Sequence, residues 1–199
     1  MKFNLLALCG SLRTQSWSAA LLRATQALAP PDVQINLFDR IGELPLFNPE
    51  CEADAPAPVH ELWNAVAAAD AIIIASPEYA HGVTGTIKNA LDWLVGCVAF
   101  AYKPVAVFNP SFQAQHADAA LKETLRTMAA TLIDAACVRI PVIGCGLELS
   151  AIAADPAFSI AIRSALAATI EHVNRAQDAA RSEGDIAESD GLSGPQSGS

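Results

Sequence analysis

Hydrophobic positions along the chain follow two periods, and the pattern predicts strands alternating with helices. Five short apolar runs, most of them rich in β-branched residues, have the length and composition of strands. The runs span residues 3–9, 33–38, 71–75, 104–108 and 137–142. Between them, apolar residues recur at helical spacing. The predicted helices span residues 17–28, 59–69, 86–94 and 118–134, with a last helix from 155 to about 177.

This alternation predicts a single α/β architecture. Strands that alternate with helices form a parallel sheet with helices on both faces. We therefore predict a three-layer, doubly wound sheet of five parallel strands in the flavodoxin-like order 2-1-3-4-5. In that order the switch point lies between strands 1 and 3, so the loops that follow these two strands share one crevice.

Length and composition set the domain boundaries. The chain has 199 residues, is 52% hydrophobic and 17% charged, and has enough apolar residues for one sizeable core. The last 22 residues are rich in Ser, Gly, Asp and Glu and have no apolar face. We predict one domain over residues 1–177 and a disordered acidic tail over residues 178–199.

Charge restricts the class of partner. The formal net charge is -9. The last 22 residues contain five acidic residues and one arginine, so the rest of the chain is acidic as well. An acidic surface argues against nucleic acid or an anionic membrane as the main partner, although a local basic pocket for a phosphate remains compatible with it.

Five cysteines indicate a reducing compartment. They have no metal-ligand spacing, and four of them lie in or beside apolar runs, where a cysteine usually packs as a small core residue. An odd count without a secretory signal favours the cytoplasm. No apolar stretch reaches the roughly 18–20 residues of a membrane-spanning helix. We expect no metal site and no membrane association.

The loop after the first strand has the composition of a phosphate site. Residues 10–18 read Gly-Ser-Leu-Arg-Thr-Gln-Ser-Trp-Ser, which combines hydroxyl groups, one arginine and the start of a helix. Hydroxyls, a guanidinium and first-turn amides are the groups that bind phosphate at a helix N-terminus. Neither the dinucleotide fingerprint nor the Walker sequence is present. The alternative is an ordinary turn whose serines cap the helix.

The loop after the third strand suits a planar ring. Residues 76–85 read Ser-Pro-Glu-Tyr-Ala-His-Gly-Val-Thr-Gly and lead directly into a helix. The loop supplies flat surface from Tyr79 and backbone groups beside two glycines, but no set of nucleophile, base and acid. A protein that positions a ring without such groups leaves the chemistry to a cofactor. We therefore predict no catalytic side chain.

Both loops resemble one enzyme family. Gly-Ser-Leu-Arg at 10–13 with Ser16, and Pro-Glu-Tyr at 77–79 with Gly85 and Lys-Asn-Ala-Leu-Asp-Trp-Leu at 88–94, are similar to the motifs of the NAD(P)H-dependent FMN reductases. That family has a flavodoxin-like fold and includes quinone, azo-dye and chromate reductases. The resemblance covers about residues 1–175.

The resemblance implies FMN as cofactor and NADPH, or NADH, as co-substrate. It implies ping-pong hydride transfer through FMN N5 to an acceptor such as a quinone, free flavin, azo dye or metal oxyanion. It also implies a homodimer or tetramer, with Lys88, Asn89, Asp92 and Trp93 on the helix beside the flavin and at the dimer contact. The cofactor-binding residues that it implies are Ser11, Arg13, Ser16, Trp17, Ser18, Pro77, Glu78, Tyr79, Ala80, His81 and Gly82.

The chain also departs from the family pattern. The family usually has Asn at the position of Ser18, and Asn followed by an aromatic at Ala80 and His81. The loop at 109–115 lacks the glycines that are typical of the family's third flavin loop. Two alternatives stay open on this evidence: a flavin-binding electron carrier, and a non-catalytic binding or interaction module of the same fold.

Overall fold

The central sheet is parallel and follows the strand order predicted from the sequence. The computed structural model describes residues 2–191, with side chains through residue 182. The strands are β1 (Phe3–Cys9), β2 (Val33–Leu37), β3 (Ala71–Ala75), β4 (Glu78–Tyr79), β5 (Gly82–Val83), β6 (Pro104–Asn109), β7 (Thr131–Leu132) and β8 (Val138–Arg139). The helices are α1 (Trp17–Ala27), α2 (Ala57–Ala68), α3 (Gly85–Leu94), α4 (His116–Thr127) and α5 (Pro156–Gly191). The sheet order is β2-β1-β3-β6-β7, and β8 also pairs with β6.

The two central strands are buried on both faces. In β1, Leu5 packs into the layer that contains α1 and α5, whereas Leu6 packs into the layer of α2 and α3. In β3, Ile73 belongs to the first layer, and its neighbours Ile72 and Ile74 belong to the second. Side chains alternate across a strand, so burial on both faces requires the continuous apolar runs seen in the sequence. Each such side chain contributes roughly 1.5–3 kcal/mol when buried.

The fifth strand position differs from the predicted run at 137–142. It is divided between β7, which pairs with the start of β6, and β8, which pairs with its end. The helix predicted to reach residue 134 ends at Thr127, because Ala129 adopts a left-handed backbone conformation (φ 59°). Thr131 then donates its N–H to the Lys103 carbonyl at 3.0 Å. A local turn therefore overrides the helical pattern.

The last helix is longer than predicted. α5 continues past Gln177 to Gly191, whereas the sequence pattern ended the helix at about residue 177. The division into a domain at 1–177 and a disordered tail stays a prediction. Residues 178–191 contain no proline, and Ser182 donates its hydroxyl to the Asp178 carbonyl within the helix. The predicted disorder of residues 192–199 lies outside the described residues.

The long connection after β2 packs on α3. It contains two short 3₁₀ turns, Asp39–Glu43 and Pro49–Asp54. Between them, the Pro45 carbonyl accepts hydrogen bonds from Trp93 Nε1 at 2.8 Å and from Asn89 Nδ2 at 2.9 Å. Asn89 Oδ1 accepts the Phe47 N–H at 2.8 Å. Trp93 is only 1% exposed, so its predicted place at a dimer surface is wrong.

Within residues 2–191, no helix combines the length and the apolar character that crossing a bilayer requires.

Candidate functional site

The two unusual loops leave neighbouring strands and touch each other. Cys9 and Ala75 pair at the carboxyl ends of β1 and β3, and Gly10 donates its N–H to the Ala75 carbonyl at 2.9 Å. A Cβ on Gly10 would lie 2.1 Å from Ser76 Oγ and 2.8 Å from Ile87 Cγ1. Only glycine therefore permits this contact, which brings both loops to the switch point of the sheet.

An open crevice of about 380 Å³ lies between these loops. A volume in this range suits a small ligand or cofactor. Its lining is Ser11, Arg13, Gln15, Ser16, Trp17, Ser18, Pro77, Glu78, Tyr79, Ser111, Gln113, Ala114 and Ile143.

The serine at the start of α1 has a structural task. Ser16 Oγ accepts the Ala19 N–H at 3.2 Å and caps the helix, as the ordinary-turn alternative expects. Ser16 and Ser18 are both buried. The amides of Trp17 and Ser18 belong to the first turn, where α-helical N–H groups have no intrahelical acceptor. The cap and a site for an anion are therefore compatible at this helix end.

Arg13 carries an uncommitted positive charge at the crevice. Its side chain is exposed. Ser11 Oγ accepts the backbone N–H of Arg13 at 3.4 Å, which shapes the loop without engaging the guanidinium. Most arginines in the described part of the chain bind a carboxylate, a carbonyl or a ring, as Arg40 and Arg163 do. The Arg13 guanidinium has no such partner there and can accept an anion.

The second loop is a small β-hairpin and not an irregular loop. β4 and β5 are antiparallel, with Tyr79 opposite Gly82. The two turn residues, Ala80 (φ 50°) and His81 (φ 59°), both have left-handed backbone conformations, as a type I′ turn requires. Side chains other than Gly, Asn and Asp adopt this conformation at a cost of about 1–2 kcal/mol each. The turn is therefore strained.

Glu78 anchors the hairpin to α4. Its Oε2 accepts the Ala117 N–H at 2.8 Å, and its Oε1 lies 3.1 Å from His81 Nδ1. The Ala117 N–H lowers the pKa of the Glu78 carboxyl, helped by the hydrogen bond from His81 and the charge of His116. The rings of His81 and His116 meet edge to face, with centroids 4.6 Å apart. A carboxylate engaged in this way fixes a loop and makes a poor general base.

The structure brings most of the predicted site residues together. The eight from the first loop and from Pro77 to Tyr79 line one crevice. Ala80 and His81 form the hairpin turn, and Gly82 begins β5. None of these three residues lines the crevice. Tyr79 is half exposed and offers a flat surface. That these side chains bind a cofactor stays a prediction.

The crevice also contains residues outside the predicted set. The loop after β6 contributes Ser111, Gln113 and Ala114. Asn109, which is 5% exposed, shapes this loop: its Nδ2 donates to the Ala114 carbonyl at 2.7 Å, and its Oδ1 accepts the Ser111 N–H at 3.0 Å. The position of this loop in the sequence could have indicated its role. It follows the strand that pairs with β3, so it leaves the sheet at the edge that borders the crevice.

Cys9 lies directly behind the first loop. It is 6% exposed, and its Sγ donates to the Ser11 carbonyl at 3.4 Å. Burial raises the pKa of the Cys9 thiol, so the reactive thiolate is disfavoured. This agrees with the prediction of an inert core cysteine.

Comparison with known proteins shows that the sequence of this chain is similar to flavoenzymes. A family model described as NADPH-dependent FMN reductase matches residues 3–142. An NAD(P)H-dependent FMN reductase of Pseudomonas aeruginosa is 35% identical over 128 residues, which are 61% of this chain and 69% of that protein. A quinone reductase of Pseudomonas putida is 32% identical over 152 residues, which are 70% of this chain and 75% of that protein.

The chain matches a smaller part of one further relative and nearly all of one solved structure. A quinone reductase of Escherichia coli is 34% identical over 95 residues, and this chain spans about half of its length (50%). Among solved structures, FerB, a flavoenzyme NAD(P)H:(acceptor) oxidoreductase from Paracoccus denitrificans, has a TM-score of 0.71 and 26% identity. The match covers 87% of this chain and 98% of that one. The predicted flavodoxin-like fold is confirmed.

Proposed function

This chain belongs to the NADPH-dependent FMN reductase family, and from that premise we propose that it is an FMN-dependent NAD(P)H oxidoreductase. The observation that carries the proposal is the single crevice formed where the loop at 10–18 meets the hairpin at 78–83. One loop has the chemistry of a phosphate site and the other that of a ring site.

The donors of the first loop fit the phosphate of FMN. The uncommitted Arg13 guanidinium, the Ser11 hydroxyl and the first-turn amides of Trp17 and Ser18 lie along one side of the crevice. Phosphate binds such sets through charge-assisted hydrogen bonds. The buried Ser16 hydroxyl already caps α1, so its contribution would be to hold the amides in place.

The second loop fits the isoalloxazine ring. Pro77 and Tyr79 line the crevice beside the Glu78 backbone, and the hairpin is held against α4 by the Glu78 carboxylate. The loop after β6 lacks the glycines that are typical of the family, but its Gln113 places a side-chain amide at the crevice. A fixed hairpin suits a role in which the protein sets the position of a ring.

When bound, FMN would supply the redox chemistry, accepting a hydride from NADPH or NADH at N5 and reducing an acceptor in a second, ping-pong step. The task of this chain is to orient the ring, limit access of water and direct backbone donors to developing negative charge. The Glu78 carboxylate is engaged on both oxygens, which supports a mechanism without a side-chain base.

A quinone is the acceptor that the relatives favour. Several of them carry a quinone in their names, among them the quinone reductases of Escherichia coli and Pseudomonas putida and a 2-hydroxy-1,4-benzoquinone reductase of Burkholderia. The open crevice also admits free flavin, azo dyes or metal oxyanions, which we propose as further acceptors. A cytoplasmic location would supply both NADPH and a reducing environment for the five cysteines.

A homodimer completes this proposal. Exposed apolar side chains cluster where α3 ends: Val95 is 67% exposed and Val98 is 90% exposed. Leu46, which is 87% exposed, belongs to the segment that Asn89 holds on the same helix. Apolar surface of this kind often marks a contact between subunits. Sedimentation equilibrium would yield the mass of two chains, and a monomer mass would contradict it.

Titration of the purified protein with FMN tests the proposed cofactor. We expect saturable binding, and we expect Arg13→Ala to weaken it by the ~1.5–3 kcal/mol of a contact with a charged group. Arg175→Ala, a charge-matched change on α5 away from the crevice, should leave the affinity unchanged. Equal affinity in the wild type and Arg13→Ala would refute the phosphate assignment. A protein that takes up no FMN would support the non-catalytic alternative.

A further inference from the structure

A second cavity, which the proposed cofactor does not use, lies next to the crevice. It has a volume of about 360 Å³ and lies between α1 and the 3₁₀ turn Leu149–Ala154. Gln15 lines both cavities, so the two are neighbours across a single side chain. A ligand in the second cavity would therefore lie beside a cofactor bound in the crevice.

The lining divides into an apolar part and a polar part. Its apolar members are small or aliphatic: Ala20, Ala24, Ala27, Leu149 and Ala153. Its polar members are the side chains of Thr14, Gln15, Arg23 and Ser150. Small apolar residues give a smooth surface for a planar ring, whereas hydroxyl, amide and guanidinium groups bind ribose and phosphate oxygens. This combination matches a phosphorylated adenosine.

Arg23 is the charged group of this cavity. It is exposed and lies two turns into α1. Among the arginines whose side chains the structure describes, Arg13 and Arg23 are the two whose guanidinium groups have no hydrogen bond, ion pair or ring contact. Both face adjacent cavities that share Gln15, in a chain whose net charge is -9. Two uncommitted cations at adjoining cavities indicate two anion positions.

We propose that this second cavity binds the adenosine end of the pyridine nucleotide and that Arg23 contacts its 2′-phosphate. The inference rests on the proposed function, because it assigns a place to the NADPH that the reductase would consume. It makes Arg23 a specificity-determining residue: NADH lacks the 2′-phosphate and gains nothing from the guanidinium.

Calorimetric titration with 2′,5′-ADP tests the proposal without any turnover. With FMN-saturated protein, we expect Arg23→Gln to weaken 2′,5′-ADP roughly tenfold or more, the effect of losing a charge-assisted contact. Binding of 5′-AMP should change little. Ala27→Glu, which keeps Arg23 but adds a negative charge to the same exposed lining, should also weaken 2′,5′-ADP. Arg175→Gln is the charge-matched control and should bind like the wild type.

The outcomes separate this inference from the proposed function. Equal affinity of the wild type and Arg23→Gln for 2′,5′-ADP, or no binding by either, would overturn the cavity assignment even if FMN still binds. An equal loss of 2′,5′-ADP and inorganic phosphate would mean a simple anion site, which also overturns it. In steady-state assays, Arg23→Gln should raise KM for NADPH and leave KM for NADH unchanged. Failure of the proposed function would instead appear as absent FMN uptake.

Discussion

Replacement of Gly10 by alanine tests the contact on which the whole site is built. In the structure an added Cβ would lie 2.1 Å from Ser76 Oγ, 2.5 Å from Ser76 Cβ and 2.8 Å from Ile87 Cγ1. All three distances are shorter than side chains tolerate, so the loop must move. Overpacking of this kind costs about 1–3 kcal/mol. For a domain of this size that corresponds to a fall in Tm of roughly 2–12 °C.

Urea unfolding followed by circular dichroism measures the free energy of unfolding of this variant. Gly85→Ala is a matched control, because a Cβ there meets nothing within 4 Å and should be neutral or stabilising by up to about 1 kcal/mol. Adding Ser76→Gly to Gly10→Ala removes two of the three close contacts and should restore part of the loss. If Gly10→Ala unfolds like the wild type, the reasoning about loop contact is refuted.

Three further changes test the hairpin and the α3 clamp. Ala80→Gly should raise the free energy of urea unfolding by about 0.5–1 kcal/mol, because relief of left-handed strain exceeds the entropy cost of glycine; destabilisation would contradict the turn geometry. The lowered pKa of the Glu78 carboxyl stabilises the fold above the usual glutamate pKa, and that contribution disappears as the pH falls through the lowered value. Thermal melts from pH 6 down should therefore show Glu78→Gln losing less stability on acidification than the wild type, and parallel losses would oppose this. Asn89→Ala leaves the Phe47 N–H without its acceptor and should cost about 1–3 kcal/mol in urea unfolding, whereas a neutral result would argue against the clamp.

The architecture could be predicted because burial determines the sequence pattern. β1 and β3 lie between two core layers, so all their positions except Asn4 at the start of β1 are apolar, and such runs are visible without any tertiary information. Right-handed crossovers restrict the strand order to a few doubly wound arrangements, and the flavodoxin-like one that we predicted is the one observed. The same reasoning brought the two loops together, since both leave carboxyl ends at the switch point.

Features with few residues could not be predicted. The hairpin has only two pairs of residues, and its turn uses Ala80 and His81 where a sequence rule expects Asn-Gly. The burial of Trp93 depends on the distant segment at 44–47 that folds over α3, and helical periodicity contains no information about it. The continuation of α5 beyond residue 177 could not be predicted either, because residues 178–191 have no apolar face in the sequence.

The location of the crevice could be predicted from the sequence, but the contacts of most of its side chains could not. Arg13 and Tyr79 were predicted from residue type and position and both line the crevice, but the engagement of Glu78 with α4 required coordinates. The contribution of Ser111 and Gln113 depends on how Asn109 folds the third loop. Hydrogen bonds between segments distant in sequence decide such details.

Anaerobic reduction of the FMN-saturated protein tests the central claim most directly. The account predicts that NADPH or NADH bleaches the flavin absorbance rapidly, and that a quinone added afterwards restores it with release of its reduced form. Rapid reduction by a partner reductase, with slow reduction by either nucleotide, would instead support an electron carrier. Bound FMN that neither nucleotide reduces at a useful rate would contradict the proposed function.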